Sequence, residues 1–181
     1  MTVILVTGVM ASGKSTVAQA LAERLPRSVH LRGDAFRRMV VNGREAARPG
    51  AGEEALRQLT LRYRAAAATA DLYAHEGWTV VVQDVVVGEQ LDVFLGLVRT
   101  RPLHVVVLAP RPAVVAAREA ARRAERGKIA YGSGWTVEAM DALLREHTPR
   151  RGLWLDSSEL TVAQTVDSIV AAMTAGLTAV E

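Results

Sequence analysis

One short segment near the start of the chain constrains its fold more than any other. Residues 3–7 form a largely apolar run, as expected for a strand that is buried on both faces. Residues 8–15, GVMASGKS, follow directly and match the pattern G-x-x-x-x-G-K-[ST] at every fixed position. The alanine-rich stretch that comes next has the composition of a helix. A strand, a loop of small residues and a lysine at a helix start together predict a site that binds a chain of phosphates.

Each fixed position of this loop has a role in binding a nucleoside triphosphate. The glycines let the backbone curl until its N–H groups point at phosphate oxygens, and the helix start adds a partial positive charge. Lys14 is predicted to reach the β- and γ-phosphates, and the hydroxyl of Ser15 is predicted to ligate Mg²⁺. The predicted nucleotide-binding residues of the loop are Gly8, Val9, Met10, Ala11, Ser12, Gly13, Lys14, Ser15 and Thr16.

Two motifs that the sequence lacks narrow the choice of nucleotide. The loop does not have the G-x-G-x-x-G spacing that is typical of dinucleotide-binding folds. The guanine-reading motif Asn-Lys-x-Asp occurs nowhere in the chain, which disfavours GTP. ATP, bound together with Mg²⁺, is therefore the predicted ligand.

The composition limits the class of protein and its partners. A chain of 181 residues is long enough to bury one core, and it has no apolar run near the roughly 18 residues of a membrane span. Its first residues lack the parts of a secretory signal, and the absence of cysteine excludes disulfides and cysteine-bound metals. The net charge is only +3, and the arginines are too dispersed to form a nucleic-acid-binding stripe. We therefore expect one cytoplasmic domain over residues 1–181, with neither membrane nor nucleic acid as a partner.

Strand-like and helix-like segments alternate along the whole chain. Further strands are predicted at residues 29–32, 78–84, 103–110 and 152–156. Helices are predicted at residues 14–25, 34–41, 53–76, 91–98, 112–126, 136–147 and from 161 onward, with residues 53–76 forming either one long helix or two shorter ones. Because the strands are continuous apolar runs separated by helices, we predict an α/β fold with three αβα layers and a five-stranded parallel sheet in the middle.

Two carboxylates and an arginine are predicted at the sheet edge where the phosphate loop lies. Asp34 follows the second predicted strand, Arg37 lies one helical turn further on, and Asp84 ends the third strand. Ligands of open parallel sheets bind beyond the carboxyl ends of the strands. Asp34 is therefore a candidate to accept the proton of an acceptor hydroxyl, Arg37 to bind an anionic group, and Asp84 to hold Mg²⁺ through water. The structural alternatives are a helix cap, a solvated surface residue and a strand-end turn residue, respectively.

A cationic helix leads into a glycine-rich segment in the last third of the chain. Arg118, Arg122 and Arg126 are spaced at i, i+4 and i+8, so they share one helix face. Together with the glycines that follow, this face predicts a lid over residues 118–134 that closes on ATP and excludes water. The alternative is an exposed helix whose arginines are balanced by its own glutamates.

Taken together, these motifs resemble those of the small-molecule P-loop kinases, a group that includes chloramphenicol phosphotransferase, gluconate kinase and adenylylsulfate kinase. The pattern Gly33-Asp34-x-x-Arg37 is similar to the G-D-x-x-R of adenylylsulfate kinases, and Asp34 also matches the catalytic aspartate of chloramphenicol phosphotransferase. The segment that ends at Asp84 is similar to an "IIIDDV" type segment of the latter group, with glutamine in place of the first acidic residue. The R-E-x-A-R spacing of residues 118–122 is similar to its lid.

The resemblance implies a strand order of 2-3-1-4-5 and transfer of the γ-phosphate of ATP to a hydroxyl of a small molecule, such as an antibiotic, a sugar acid or another metabolite. It implies that Asp34 is the base, that Arg118 flanks the adenine and that Arg122 or Arg126 touches phosphates. The catalytic residues that it implies are Lys14, Asp34, Arg37 and Arg122. Two alternatives remain, namely a kinase for nucleotides or nucleic-acid ends, and an ATP-dependent switch without an acceptor. Residues 42–70, where an acceptor pocket is expected, carry no motif that identifies the acceptor.

Overall fold

A computed structural model of the chain contains a six-stranded sheet covered by helices on both sides. It describes residues 1–127, 131 and 134–180, apart from the side chain of Arg126. The strands are β1 (Thr2–Gly8), β2 (Ser28–Arg32), β3 (Thr79–Gln83), β4 (Leu103–Leu108), β5 (Leu153–Leu155) and β6 (Ala179–Val180). The helices are α1 (Lys14–Arg24), α2 (Gly33–Met39), α3 (Glu53–His75), α4 (Gln90–Leu97), α5 (Pro112–Arg126), α6 (Val137–His147) and α7 (Val162–Thr174).

The first five strands run parallel in the order β2-β3-β1-β4-β5, which confirms the predicted three-layer fold and its strand order. The strand β6 was not predicted. It pairs antiparallel with the beginning of β4. The later residues of β4 pair with β5. Its two residues are too few to show a strand pattern in the sequence, so only its pairing with β4 identifies it.

Alternate residues of the central strands supply two separate cores. Val3 and Leu5 of β1 pack with α3 and α4 on one side of the sheet. Ile4 and Val6 pack with α1 and α7 on the other side. A strand that is buried on both faces needs apolar residues at every position, which explains the continuous runs of valine and leucine in the sequence.

Strands β2 and β3 end at the same level on one edge of the sheet, and β1 ends there two residues further on. The register pairs Gln83 of β3 with Val6 of β1 and with Arg32 of β2. The phosphate loop after β1, the start of α2 after β2 and Asp84 after β3 therefore lie side by side. This is the edge at which open parallel sheets bind their ligands.

No helix within the described ranges combines the length and the apolar character that a membrane crossing requires.

Candidate functional site

The phosphate loop adopts backbone angles that favour glycine at both fixed glycine positions. Gly8 has a φ of 144° and Gly13 a φ of 99°. A Cβ atom on Gly8 would also overlap the carbonyl oxygen of Leu108 on the neighbouring strand β4. Ala11 has a φ of 59°, a left-handed conformation that costs a non-glycine residue about 1–2 kcal/mol. The loop thus holds a tightly curled backbone, and α1 begins directly after it at Lys14.

Lys14 is buried beneath the loop, with only 6% of its surface exposed. Its Nζ atom donates a hydrogen bond to the carbonyl oxygen of Val9 at 2.5 Å. Burial, and then the charges of Arg122 and Arg62, lower the pKa of its ammonium group to about 7. A phosphate chain in the loop would supply the negative charge that favours the ammonium form.

Two oxygen atoms beside the loop suit a magnesium ion that arrives with a nucleotide. The hydroxyl of Ser15 donates a hydrogen bond to Oε1 of Gln83 at 3.1 Å. Hydroxyl and amide oxygens are ligands that Mg²⁺ accepts, and this ion keeps most of its ligands as water and phosphate oxygens. Within the described ranges, no group of three or more His, Cys, Asp or Glu side chains could hold a metal. The residues present therefore fit a nucleotide-bound Mg²⁺ rather than an all-protein metal site.

The carboxylate of Asp84 is engaged by an arginine of α3. Asp84 is 1% exposed, and its Oδ2 atom accepts a hydrogen bond from Nε of Arg62 at 2.7 Å. Its Oδ1 atom accepts from Nη2 of Arg62 and, at 2.6 Å, from the backbone N–H of Val85. The predicted role of Asp84 in binding Mg²⁺ stays a prediction, while its observed partner is Arg62.

Sequence reasoning did not identify Arg62 as a site residue. Arg62 lies within electrostatic range of Lys14, whose pKa it lowers, and of Asp34 and Arg37, which act in opposite directions on its own pKa. The sequence carries one signal that could have found it. Arg62 lies four and eight residues before the buried Ala66 and Ala70, so it falls on the apolar face of its helix. A charge on such a face needs a buried partner.

Asp34 lies in the first turn of α2 with its side chain half exposed, and its Oδ2 atom is 3.0 Å from Nε of Arg38. The sequence alternative of a helix cap is wrong, because the N-cap position is Arg32 and no side chain caps this helix. A Cβ atom on the preceding Gly33 would overlap the carboxylate of Asp84. The backbone just before Asp34 therefore lies directly against the side chain of Asp84. The side chain of Arg37 is exposed and makes no hydrogen bond or ion pair to any described residue.

Of the three predicted lid arginines, Arg118 contacts the phosphate loop, and Arg122 lies within electrostatic range of Lys14. Arg118 donates to the carbonyl oxygen of Ser12 at 3.2 Å and to that of Ser157, in the loop after β5, at 3.3 Å. Arg122 is close enough to Lys14 to lower its pKa, and its Nη2 atom donates to Glu119 at 2.6 Å. Its Nε atom is buried and has no hydrogen-bond partner within the described residues. The side chain of Arg126 lies outside the described part, so its predicted phosphate contact stays a prediction.

Two aromatic residues that the sequence did not connect with the site tie the lid to its surroundings. The hydroxyl of Tyr131 donates to the carbonyl oxygen of Met10 at 2.8 Å. Burial, and then the charge of Glu119, raise the pKa of that hydroxyl, so it remains a donor at neutral pH. The indole N–H of Trp135, the residue that follows the lid, donates to the carbonyl oxygen of Ala47 in the loop after α2 at 2.9 Å.

Comparison with solved structures identifies other proteins with this fold. A sugar kinase from Janibacter sp. superposes with a TM-score of 0.70 at 18% identity, over 96% of this chain and 95% of that chain. The APS kinase of Mycobacterium tuberculosis, in complex with AMPPNP and APS, gives a TM-score of 0.67 at 18% identity, over 96% and 97%. The tunicamycin resistance protein of Deinococcus radiodurans gives 0.63 at 20% identity, over 99% and 98%. These proteins are of the type that the sequence motifs resemble, and they share the fold with this chain.

Sequence comparison gives one match. No curated protein sequence is significantly similar to the chain. A family described as an AAA domain, AAA_33, matches residues 3–147, a range that includes the phosphate loop, Asp34, Asp84 and the cationic face of α5. This match spans most of the chain, and the P-loop of the chain adopts the expected geometry. The chain therefore belongs to the AAA domain family AAA_33.

Proposed function

We propose that the chain is an ATP-dependent phosphotransferase that moves the γ-phosphate of ATP to a hydroxyl of a small molecule. The observation that carries this proposal is the tightly curled phosphate loop, which holds the buried Lys14 at the first position of α1, where two further cations act on that lysine. Lys14 comes from the loop itself, Arg62 from α3 and Arg122 from α5, and both arginines act on the pKa of the buried lysine. Cations fixed in this way stabilise the charge that develops on a transferring phosphoryl group.

ATP is bound by the backbone of residues 8–16, with its phosphates against the N-terminus of α1. Arg118, which bridges the loop and the segment after β5, lies beside the adenine. Mg²⁺ would be held by phosphate oxygens, water and the hydroxyl of Ser15, next to Gln83. When bound, the ion neutralises charge on the β- and γ-phosphates.

Asp34 acts on the acceptor. Its carboxylate is half exposed and lies within electrostatic range of Arg62. The acceptor oxygen attacks the γ-phosphorus, the bond from that phosphorus to the bridging oxygen of ADP breaks, and the hydroxyl proton passes to Asp34. Arg37, which makes no ion pair to a described residue, binds the acceptor or the moving phosphoryl group.

Several features of known proteins support this proposal without naming the acceptor. The fold is shared with a sugar kinase, with an APS kinase bound to AMPPNP and with a tunicamycin resistance protein. Acceptors of this chain are therefore sought among hydroxyl-bearing antibiotics, sugars, sugar acids and nucleosides.

The test is ADP release from Mg-ATP across a panel of such acceptors, with oligonucleotide ends included. We expect one class of small molecule to raise turnover well above the rate with water, and Asp34→Asn to lose that increase. Transfer to oligonucleotide ends alone, or ATP binding with no acceptor response and a partner protein captured only in the ATP state, would contradict the proposal.

A further inference from the structure

We propose that Asp84 and Arg62 form a positioning pair, in which the buried carboxylate of Asp84 holds Arg62 so that Nη1 of Arg62 binds the γ-phosphoryl group of ATP. Arg62 is then a catalytic residue, and Asp84 acts through it. The inference rests on the proposed function, because it assigns these residues a role in binding the group that is transferred.

The geometry of the pair fixes the arginine. Two of its nitrogen atoms, Nε and Nη2, each donate to a different oxygen of Asp84, which is the fork-to-fork arrangement of a bidentate ion pair. Asp84 is in turn held by the backbone N–H of Val85 and packed against Gly33, where no side chain intervenes. The guanidinium plane is therefore set by groups at the ends of two strands, β2 and β3, and is not free to rotate.

One part of the guanidinium group is left for a ligand. Nη1 of Arg62 makes no hydrogen bond to a described residue, and it is not among the buried polar atoms that lack a partner. The side chain of Arg62 is 15% exposed, whereas that of Asp84 is 1% exposed. The pair thus presents its arginine, not its carboxylate, towards the accessible side of the site.

The partner of Arg62 lies next to the segments predicted to act on the transferred group, because the backbone N–H of Asp84 donates to the carbonyl oxygen of Val6 in β1 and its carboxylate abuts Gly33, the residue before Asp34. Arg62 is close enough to Lys14, which is predicted to reach the γ-phosphate, to affect that lysine's charge. On the other side it interacts electrostatically with Asp34 and Arg37, the candidate acceptor residues. A fixed cation between donor and acceptor groups is where the charge of a moving phosphoryl group is best stabilised. The neutralising partner Asp84 allows this cation to be held beside Lys14 before any anion binds.

The first experiment compares the binding of AMPPNP and ADP, each with Mg²⁺, to the wild type and to Arg62→Gln. Loss of a charged hydrogen bond to the γ-phosphoryl group should weaken AMPPNP binding about 10- to 100-fold, with ADP affinity changed by no more than about 2-fold. Arg64→Gln, the same change at an exposed position of α3, is the matched control and should bind both nucleotides like the wild type. Unchanged AMPPNP affinity in Arg62→Gln, or an equal loss for both nucleotides, would overturn the proposal.

The second experiment separates this role of Asp84 from that of a metal ligand. If Asp84 acts through Arg62, Asp84→Asn should weaken AMPPNP selectively, and the double variant Arg62→Gln/Asp84→Asn should bind it no more weakly than Arg62→Gln alone. The Mg²⁺ concentration for half-maximal AMPPNP binding should stay within about 2-fold of the wild type. An additive loss in the double variant, together with a raised Mg²⁺ requirement in Asp84→Asn, would show Asp84 to be a metal ligand and refute the positioning role.

Folding and the proposed function are controlled separately. Arg62→Gln alone leaves a buried carboxylate without its partner, so thermal unfolding is followed for every variant. The double variant Arg62→Gln/Asp84→Asn removes both charges of the pair. If Arg62→Gln alone does not fold, the double variant is used for the comparison of AMPPNP and ADP binding. A wild-type protein that binds no nucleotide would refute the proposed function, whereas nucleotide binding that is indifferent to Arg62 would refute this inference alone.

Discussion

At the scale of single residues, Lys14 carries its charge in surroundings that disfavour it. Burial is the main cause, and the charges of Arg122 and Arg62 add to it, so that the pKa of its ammonium group falls to about 7. Phosphates bound in the loop would raise this pKa again, because their negative charge favours the protonated form. Nucleotide binding and the protonation of Lys14 are therefore linked.

We expect nucleotide binding above pH 7 to take up a proton at Lys14, and affinity to fall as the pH rises from about 7 to about 9. The sign follows because the free form loses this proton near pH 7 while the bound form keeps it. Calorimetric titration at about pH 8, in two buffers that differ in ionisation enthalpy, measures the uptake of up to about one proton. Identical heats in the two buffers would contradict the linkage, and Lys14→Met, which has no ammonium group, is the control.

Asp34 belongs to the acceptor side of the site, so its removal should affect turnover and leave nucleotide binding intact. We expect Asp34→Asn to lower kcat by about 10²–10⁴-fold, nearer the low end because a loose transition state leaves the base little to do early. Steady-state kinetics with the acceptor found in the panel measure this. Asp167→Asn, the same change in an exposed ion pair on α7, should leave kcat unchanged. Retention of more than a tenth of kcat in Asp34→Asn would exclude the role of base.

At the scale of secondary-structure elements, the junction between the start of α2 and the end of β3 builds the site. The helix begins at Gly33, whose backbone lies directly against the carboxylate of Asp84. Glycine is needed at this position for the close approach and not for an unusual backbone angle, since its φ is not positive. The glycine of the sequence motif and the acidic residue 51 positions later are thus one structural unit.

This contact predicts opposite effects for two glycine substitutions in helices. Gly33→Ala should lower the free energy of unfolding by about 1–3 kcal/mol, because the added methyl group overlaps the Asp84 carboxylate. Gly96→Ala, at an exposed position of α4 with no atoms near the added Cβ, should raise it by up to about 1 kcal/mol. Urea unfolding of both variants measures the two changes. A Gly33→Ala protein as stable as the wild type would show that the Asp84 carboxylate can move aside.

The elements that the sequence predicted well are those whose signals are local. The P-loop, the alternating strands and helices, and the cationic face of α5 each arise within about twenty consecutive residues. Arg62 did not stand out, because its meaning depends on a partner on another element, 22 residues away along the chain. The bond from Trp135 to Ala47 spans 88 residues and has no sequence signal at all. Local sequence patterns thus predicted the fold and the phosphate loop, whereas contacts between distant segments required the structure.

At the scale of the whole molecule, the site lies where the layers of the sandwich meet. Lys14 belongs to α1, which packs on one core of the sheet, while Arg62 belongs to α3 on the other. The carboxyl ends of β1, β2 and β3 bring these helices to one edge. Cations from opposite layers therefore converge there only in the folded chain, and their mutual repulsion opposes folding. The buried charge at Lys14 should consequently affect the stability of the entire protein.

We expect nucleotide-free Lys14→Met to be more stable than the wild type at pH 7, and this advantage to shrink as the pH rises towards 9. In the wild type the pKa of Lys14 is about 7 when folded and near its ordinary value of 10.5 when unfolded. Between these values the unfolded chain binds more protons, so the stability of the wild type rises with pH, while the burial cost is fully present below pH 7. The variant lacks this group, and the other titrations are common to both proteins and cancel in the difference. Urea unfolding measures the free energy of unfolding of both proteins, and the excess of the variant over the wild type should fall by about 2 kcal/mol between pH 7 and pH 9. An excess that does not depend on pH would show that the pKa of Lys14 is not lowered in the folded protein.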